Sequence, residues 1–186
     1  MRSSHCKTIL TTQYVYTADD NHKPEMAIAL TSFTGLCGFL PLPKVAAHLH
    51  ATAELASLIP SSVTTEFLAI VSSSTPTGPV ERAALKNVFA AIMTADERQV
   101  RSQLDRLVAR YKAGGAKSEE EPQDIVDLVL RLDSQFPGDV GIFCTFLLNY
   151  VHLKPGEAIF LGAGEPHAYI SGGKQASIRR LLLVLE

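Results

Sequence analysis

The chain has 186 residues, of which 46% are hydrophobic and 19% charged, and its formal net charge is −2. This composition is typical of a globular protein with its own core and excludes an intrinsically disordered chain. The nearly neutral charge excludes a strong field for nucleic acid or an anionic membrane. Three scattered cysteines predict a reducing compartment, and no apolar run approaches the roughly 20 residues of a transmembrane helix. We therefore expect a soluble, cytosolic protein without nucleic-acid or membrane partners.

The first part of the chain predicts two short strands joined by a turn. An apolar run covers residues 26–31, and a second apolar stretch with two glycines covers residues 33–39. Pro24 comes just before the first run, where a strand tolerates proline. The pattern indicates strand, turn, strand.

The middle of the chain, from about Pro43 to Phe136, predicts helices. Pro43 is suited to a first helical turn, and the helix that it opens is expected to end before Pro60. The spacing Thr94-Ala95-Asp96-Glu97 matches a capping box at a helix start. Apolar residues at helical spacing predict three buried faces: Leu85, Val88, Phe89, Ile92 and Met93; Val100, Leu104, Leu107, Val108 and Tyr111; Ile125, Leu128, Val129, Leu132 and Phe136.

The last part of the chain returns to short strands. Residues 141–148 form an apolar run that predicts a short buried helix. The turn Lys154-Pro155-Gly156-Glu157 has the residues of a type II turn, and strands are expected on both sides of it and again from His167. Strands, then nearly a hundred helical residues, then strands indicate a helical domain inserted into a β-domain. The predicted fold class is therefore mixed α and β.

Glu25 and His167 are the candidates for metal binding. Glu25 opens the first predicted strand, and Lys23, two positions earlier, belongs on the same side of an extended chain. His167 follows a loop with glycine and proline, and imidazole and carboxylate together suit zinc. Taken alone, a Lys-x-Glu pair is more often a solvated strand edge, and a lone histidine is more often a surface or core residue.

Two motifs together resemble a known family. The segments His22-Lys23-Pro24-Glu25-Met26 and Pro166-His167-Ala168-Tyr169, with a helical block between them, resemble type I mannose-6-phosphate isomerases of the cupin superfamily. The resemblance covers about residues 14–172. It implies a partial cupin β-barrel interrupted by an all-helical insert, with one Zn²⁺ per chain. The implied domains are a first cupin segment at 1–41, a helical insertion at 42–137, a second cupin segment at 138–172 and a divergent tail at 173–186.

The resemblance also implies roles for single residues. Glu25 and His167 match metal ligands, Lys23 matches a catalytic and substrate-binding lysine, and Tyr169 matches a substrate-binding tyrosine. The implied reaction interconverts mannose 6-phosphate and fructose 6-phosphate by moving a proton between C1 and C2 through an enediolate. The implied partner is thus a small sugar phosphate, the implied pathway role is GDP-mannose synthesis, and a monomer is expected.

Two departures from the family pattern keep alternatives open. A Gln-x-His pair, expected upstream of Glu25, has no counterpart, although His5 and Gln13 lie in that region. The residues after Gly172 do not continue the pattern. The expectation is a fragment of the family with half of the metal site. A catalytically inactive fragment or splice product acting as a binding module, and a non-enzymatic cupin that binds a sugar, are the competing hypotheses.

Overall fold

The computed structural model describes residues 25–73, 78–115 and 119–172. These residues fall into two compact units. The β unit contains residues 25–39 and 148–172, and the helical unit contains the described residues between 40 and 147. The order strands, helices, strands predicted from the sequence is confirmed.

The β unit contains five strands in two antiparallel sheets. One sheet pairs β1 with β4, and the other has the order β3-β2-β5. Both sheets join strands from before and after the helical block, so the two ends of the described chain depend on each other for backbone hydrogen bonds. The strands are β1 Glu25–Ile28, β2 Phe33–Phe39, β3 Leu148–Leu153, β4 Ala158–Leu161 and β5 His167–Ser171.

The turn between β3 and β4 is the predicted one. The backbone N–H of Glu157 donates to the carbonyl of Lys154 at 3.0 Å, and Gly156 has a φ of +89°. A positive φ at the third turn position is what a type II turn requires, and glycine adopts it without steric cost. The same turn exchanges two backbone hydrogen bonds with Ala29, which follows β1. These bonds continue the antiparallel pairing of β1 with β4.

The described part of the helical unit contains six α-helices and one 3-10 helix. They are α1 Leu42–Ala51, α2 Ala53–Ala56, α3 Ser61–Ser73, α4 Pro79–Met93, α5 Glu97–Lys112, α6 Gln123–Gln135 and the 3-10 helix Val140–Phe146. The 3-10 helix contacts α4, α5 and α6. The compact helical unit ends at residue 147 and includes this 3-10 helix.

The predicted apolar faces form the core of the helical unit. Val88, Ile92 and Leu107 are fully buried, as is Val129. Phe136 departs from the prediction, since 38% of its surface is exposed. It caps α6 with a φ of −139°, and so it no longer follows the helical period that would turn it inward.

The start of α5 corrects the predicted cap. Asp96, and not Thr94, is the N-cap, and its carboxylate accepts hydrogen bonds from the backbone N–H groups of Arg98 and Gln99 at 3.0 and 3.1 Å. Thr94 ends α4, and its hydroxyl donates to the carbonyl of Ala90. The capping-box prediction was therefore wrong, because the helix begins two residues later than that spacing requires and the Thr94 hydroxyl is bonded to α4 instead.

Replacing Asp96 by alanine is expected to lower the free energy of unfolding by about 1 kcal/mol, because two N–H groups at the start of α5 lose their acceptor. Urea denaturation followed by circular dichroism would measure the loss. Asp105→Ala, at an exposed position in the same helix, is the matched control and is expected to change stability by less than about 0.5 kcal/mol. Equal losses in the two variants would contradict the capping role.

A charged network lies inside the helical unit. The Arg110 guanidinium donates to both oxygens of Glu121, each at 2.7 Å, and to both oxygens of Glu54 at 3.1 and 3.0 Å. Thr52 and Tyr111 also donate to Glu121, at 2.8 and 2.9 Å. The network joins α2 and α5 to the segment before α6, which no local sequence pattern indicates.

Among the described residues, no helix is both long and apolar enough to cross a lipid bilayer.

Candidate metal centre

Glu25 and His167 lie side by side in the β unit. Glu25 is the first residue of β1 and pairs with Leu161 of β4, whereas His167 is the first residue of β5 and pairs with Cys37 of β2. The two sheets bring Nε2 of His167 to 3.4 Å from Oε2 of Glu25. His167 is buried, and the Glu25 side chain is about half exposed. Glu25 and His167, which are 142 positions apart in the chain, thus lie next to each other at the starts of β1 and β5.

A backbone carbonyl orients the His167 ring. Nδ1 lies 2.9 Å from the carbonyl oxygen of Glu165. A carbonyl oxygen only accepts, so Nδ1 is the donor of this hydrogen bond, and Nε2 is the ring nitrogen that faces Glu25. Histidines that bind metals commonly donate their second ring N–H to such an acceptor. The backbone therefore engages Nδ1 and leaves Nε2 as the ring nitrogen that can bind a metal.

Tyr169 lies beside this pair. Its hydroxyl donates a long hydrogen bond of 3.5 Å to Oε2 of Glu25, and its ring centroid is 5.4 Å from that of His167. The Phe33 and Tyr169 rings pack edge to face, with their centroids 5.2 Å apart. Burial raises the pKa of Tyr169, and the negative charge of Glu25 adds to the increase. The phenol therefore stays protonated at neutral pH and can act as a hydrogen-bond donor.

Cys37 borders the site without offering a thiolate. It is the register partner of His167 and is buried. Burial raises the pKa of the thiol, and the negative charge of Glu165 adds a smaller increase, to about 11. The thiol is therefore protonated at neutral pH, and a protonated thiol is a poor zinc ligand.

The distance between the two donors fits a shared metal ion. Tetrahedral zinc with bonds of about 2.0–2.2 Å separates two ligand atoms by roughly 3.3–3.6 Å, and the observed separation is 3.4 Å. Within residues 25–73, 78–115 and 119–172, no group of three or more His, Cys, Asp or Glu side chains is arranged to hold a metal ion. The described residues therefore supply two candidate ligands.

The remaining predicted site residue, Lys23, lies outside the described residues, as do His5, Gln13 and the tail at 173–186. The structure thus brings together Glu25, His167 and Tyr169 from the predicted set. Sequence reasoning missed the support of His167 by the Glu165 carbonyl. A Glu-Pro dipeptide directly before a candidate ligand was a weak signal for it, since proline restricts the backbone of the residue before it.

Family comparisons match two parts of the chain. Residues 58–148 match the family described as phosphomannose isomerase type I, helical insertion domain. Residues 4–42 match phosphomannose isomerase type I, catalytic domain. The predicted helical insertion within a mixed α and β chain is therefore confirmed as a feature of this family.

Similar curated proteins are named mannose-6-phosphate isomerase. A mannose-6-phosphate isomerase of Cryptococcus neoformans is 47% identical over 168 residues, which cover 83% of this chain and 38% of that protein. The mannose-6-phosphate isomerase of Saccharomyces cerevisiae is 43% identical over 159 residues, covering 83% and 37%. The chain thus spans less than two fifths of the length of these relatives.

Solved structures agree with these matches. A mannose 6-phosphate isomerase from Salmonella typhimurium, bound to fructose 6-phosphate and zinc, is 28% identical with a TM-score of 0.61. The match covers 83% of this chain and 34% of that one. Another zinc-bound structure of mannose 6-phosphate isomerase matches equally well.

Proposed function

Because the chain belongs to the type I phosphomannose isomerase family, we propose that it acts in the interconversion of mannose 6-phosphate and fructose 6-phosphate. The pairing of Glu25 with His167 carries this proposal. Their donor atoms are 3.4 Å apart, and Nδ1 of His167 is bonded to the Glu165 carbonyl, which leaves Nε2 for the metal. The zinc and fructose 6-phosphate in the similar Salmonella structure support the same metal and substrate class.

Glu25 and His167 would hold one Zn²⁺ per chain. Glu25 contributes a negative charge and His167 a neutral nitrogen, a mixed set that zinc accepts. When bound, zinc would polarise the sugar oxygens and stabilise negative charge that develops during proton transfer between C1 and C2. His167 is buried and fixed by the Glu165 carbonyl, so its ring does not need to reorient on binding.

Tyr169 and Lys23 would act on the substrate. The protonated phenol of Tyr169 lies beside Glu25 and can donate to a sugar oxygen, which would orient the substrate against the metal. Lys23 precedes Glu25 by two residues in the sequence, and the resemblance assigns it to proton handling and substrate contact. A lysine with this task needs a lowered pKa near the working pH.

We further propose the cellular setting that the family resemblance implies. The protein would be a cytosolic monomer that supplies mannose 6-phosphate for GDP-mannose synthesis, without nucleic-acid or membrane partners. Its domains would be two cupin segments, at 1–41 and 138–172, a helical insertion at 42–137 and a divergent tail at 173–186.

A binding module without catalysis is the second candidate. The observation that favours it is the two-donor set of the described residues, because zinc affinity depends on ligand number and geometry. Such a module would still bind a sugar phosphate or a partner without turning it over.

An isomerase assay separates these two candidates. The purified chain with added zinc is expected to convert mannose 6-phosphate to fructose 6-phosphate, and Glu25→Ala is expected to abolish the conversion because one metal ligand is removed. Glu66→Ala, at an exposed position on α3, is the matched control and should keep wild-type activity. If the wild type converts the substrate no faster than Glu25→Ala, the isomerase proposal is contradicted and the binding module becomes the favoured candidate.

A further inference from the structure

Asn149 makes an unusual set of hydrogen bonds in the β unit. It lies on β3, and its Nδ2 is 3.1, 3.1 and 3.0 Å from the carbonyl oxygens of Cys37, Gly38 and Phe39. Three acceptors around one terminal atom identify that atom as the amide nitrogen. One side chain thus shares two N–H groups among three consecutive carbonyls.

This arrangement depends on a bulge in β2. In a regular strand, successive carbonyls alternate in direction and cannot converge on one group. Here the register of β2 against β3 shifts between Cys37 and Phe39, and Gly38 has a φ of +65°. The bulge lets the three carbonyls converge, and their mutual repulsion is offset by the N–H groups of Asn149.

The other side of the bulge holds the strand that carries His167. The backbone N–H of Gly38 donates to the carbonyl of Pro166 at 2.9 Å, and Cys37 is the register partner of His167. The distance between Nδ1 of His167 and the Glu165 carbonyl therefore depends on the path of the 165–167 backbone, which the bulge fixes. A continuous series of contacts runs from Asn149 through Gly38 and Pro166 to His167.

We propose that Asn149 is a positioning residue for His167, holding the bulge that directs Nε2 of the imidazole toward Glu25. This inference rests on the proposed function in that His167 is taken to bind the metal. Asn149 itself touches neither metal nor substrate. Its effect would pass through the backbone of β2 to the orientation of the ring.

The test compares Asn149→Leu with Thr34→Val in the full chain. Thr34 lies on the same strand β2, and its hydroxyl is hydrogen-bonded to that of Ser171 on β5 at 2.5 Å. Thr34→Val therefore removes a cross-strand hydrogen bond at the other end of β2, and it controls for loss of stability. Two quantities are measured: the zinc dissociation constant, and the fraction of metal-free His167 with its proton on Nδ1, from long-range ¹H–¹⁵N spectra at one fixed pH.

Asn149→Leu is expected to raise the zinc dissociation constant by about tenfold, the lower end of the range for groups that orient a metal ligand. It is also expected to lower the Nδ1-protonated fraction of His167, whereas Thr34→Val should leave both quantities at wild-type values. Asn149→Gln keeps the amide on a longer arm and should lie between wild type and Asn149→Leu. It also serves as the variant to measure if Asn149→Leu does not fold.

An unchanged tautomer in both Asn149 variants would overturn the inference, as would equal zinc weakening in Thr34→Val. Absence of zinc binding by the wild type would contradict the proposed function instead. In that case the tautomer of metal-free His167 would still decide whether Asn149 positions the ring.

Discussion

Replacing Glu121 by alanine is expected to lower the free energy of unfolding by about 3 kcal/mol, one of the largest losses available in the helical unit. The Glu121 side chain is 1% exposed and accepts hydrogen bonds from Arg110, Thr52 and Tyr111. Its removal takes an acceptor from the buried Thr52 and Tyr111 hydroxyls and leaves Arg110, which is partly exposed, paired with Glu54 alone. Chemical denaturation at neutral pH measures the loss.

The same carboxylate makes stability depend on pH. Burial alone would raise the pKa of Glu121, but hydrogen bonds from Arg110, Thr52 and Tyr111 outweigh burial and hold the pKa below its ordinary value. A lowered pKa means that the stabilisation is complete above the ordinary carboxyl pKa and is lost as pH falls through the lowered folded value. The stability difference between wild type and Glu121→Gln is therefore expected to shrink in acid.

Glu97→Gln is the matched control for these measurements. Glu97 also lies near an arginine of α5, at 3.8 Å from Arg101, but 75% of its side chain is exposed. Exposed ion pairs contribute little, so this variant is expected to change stability by less than about 0.5 kcal/mol. A loss below about 1 kcal/mol for Glu121→Ala would contradict a stabilising role for the network.

The helical unit was predictable because its signals are local. The apolar faces of α4, α5 and α6 repeat every three or four residues, and the buried residues follow that period. Errors arose at helix ends, where Asp96 and not Thr94 caps α5 and where Phe136 leaves the helical conformation. These choices depend on one or two hydrogen bonds, which periodicity does not report.

The long-range polar contacts were not predictable from pattern. Arg110 meets Glu54 across 56 residues, and Asn149 meets the β2 carbonyls across about 110. No spacing rule connects such positions, because the fold decides which of many polar residues become neighbours. The pairing of Glu25 with His167 was expected through family resemblance alone. Their proximity is observed, their role as metal ligands stays a prediction, and Lys23 lies outside the described residues.

His167→Ala is expected to raise the zinc dissociation constant by more than about 100-fold, since even loss of a group that merely orients a ligand costs 10–100-fold. The effect is large because Nε2 is one of two donors that the described residues bring together. Competition with a chromophoric chelator measures the constant. His152→Ala, an exposed histidine on β3 of the same unit, is the matched control and should bind zinc as the wild type does.

A double-mutant cycle then tests whether Glu25 and His167 hold the same ion. If both bind one zinc, the second substitution is expected to have little further effect once the first has removed the site, so the two losses are strongly non-additive. Additive losses would mean that each residue acts at a separate site, and the shared centre would be wrong. The cycle depends on the 3.4 Å separation that the two sheets impose, and so it tests the fold and the metal chemistry together.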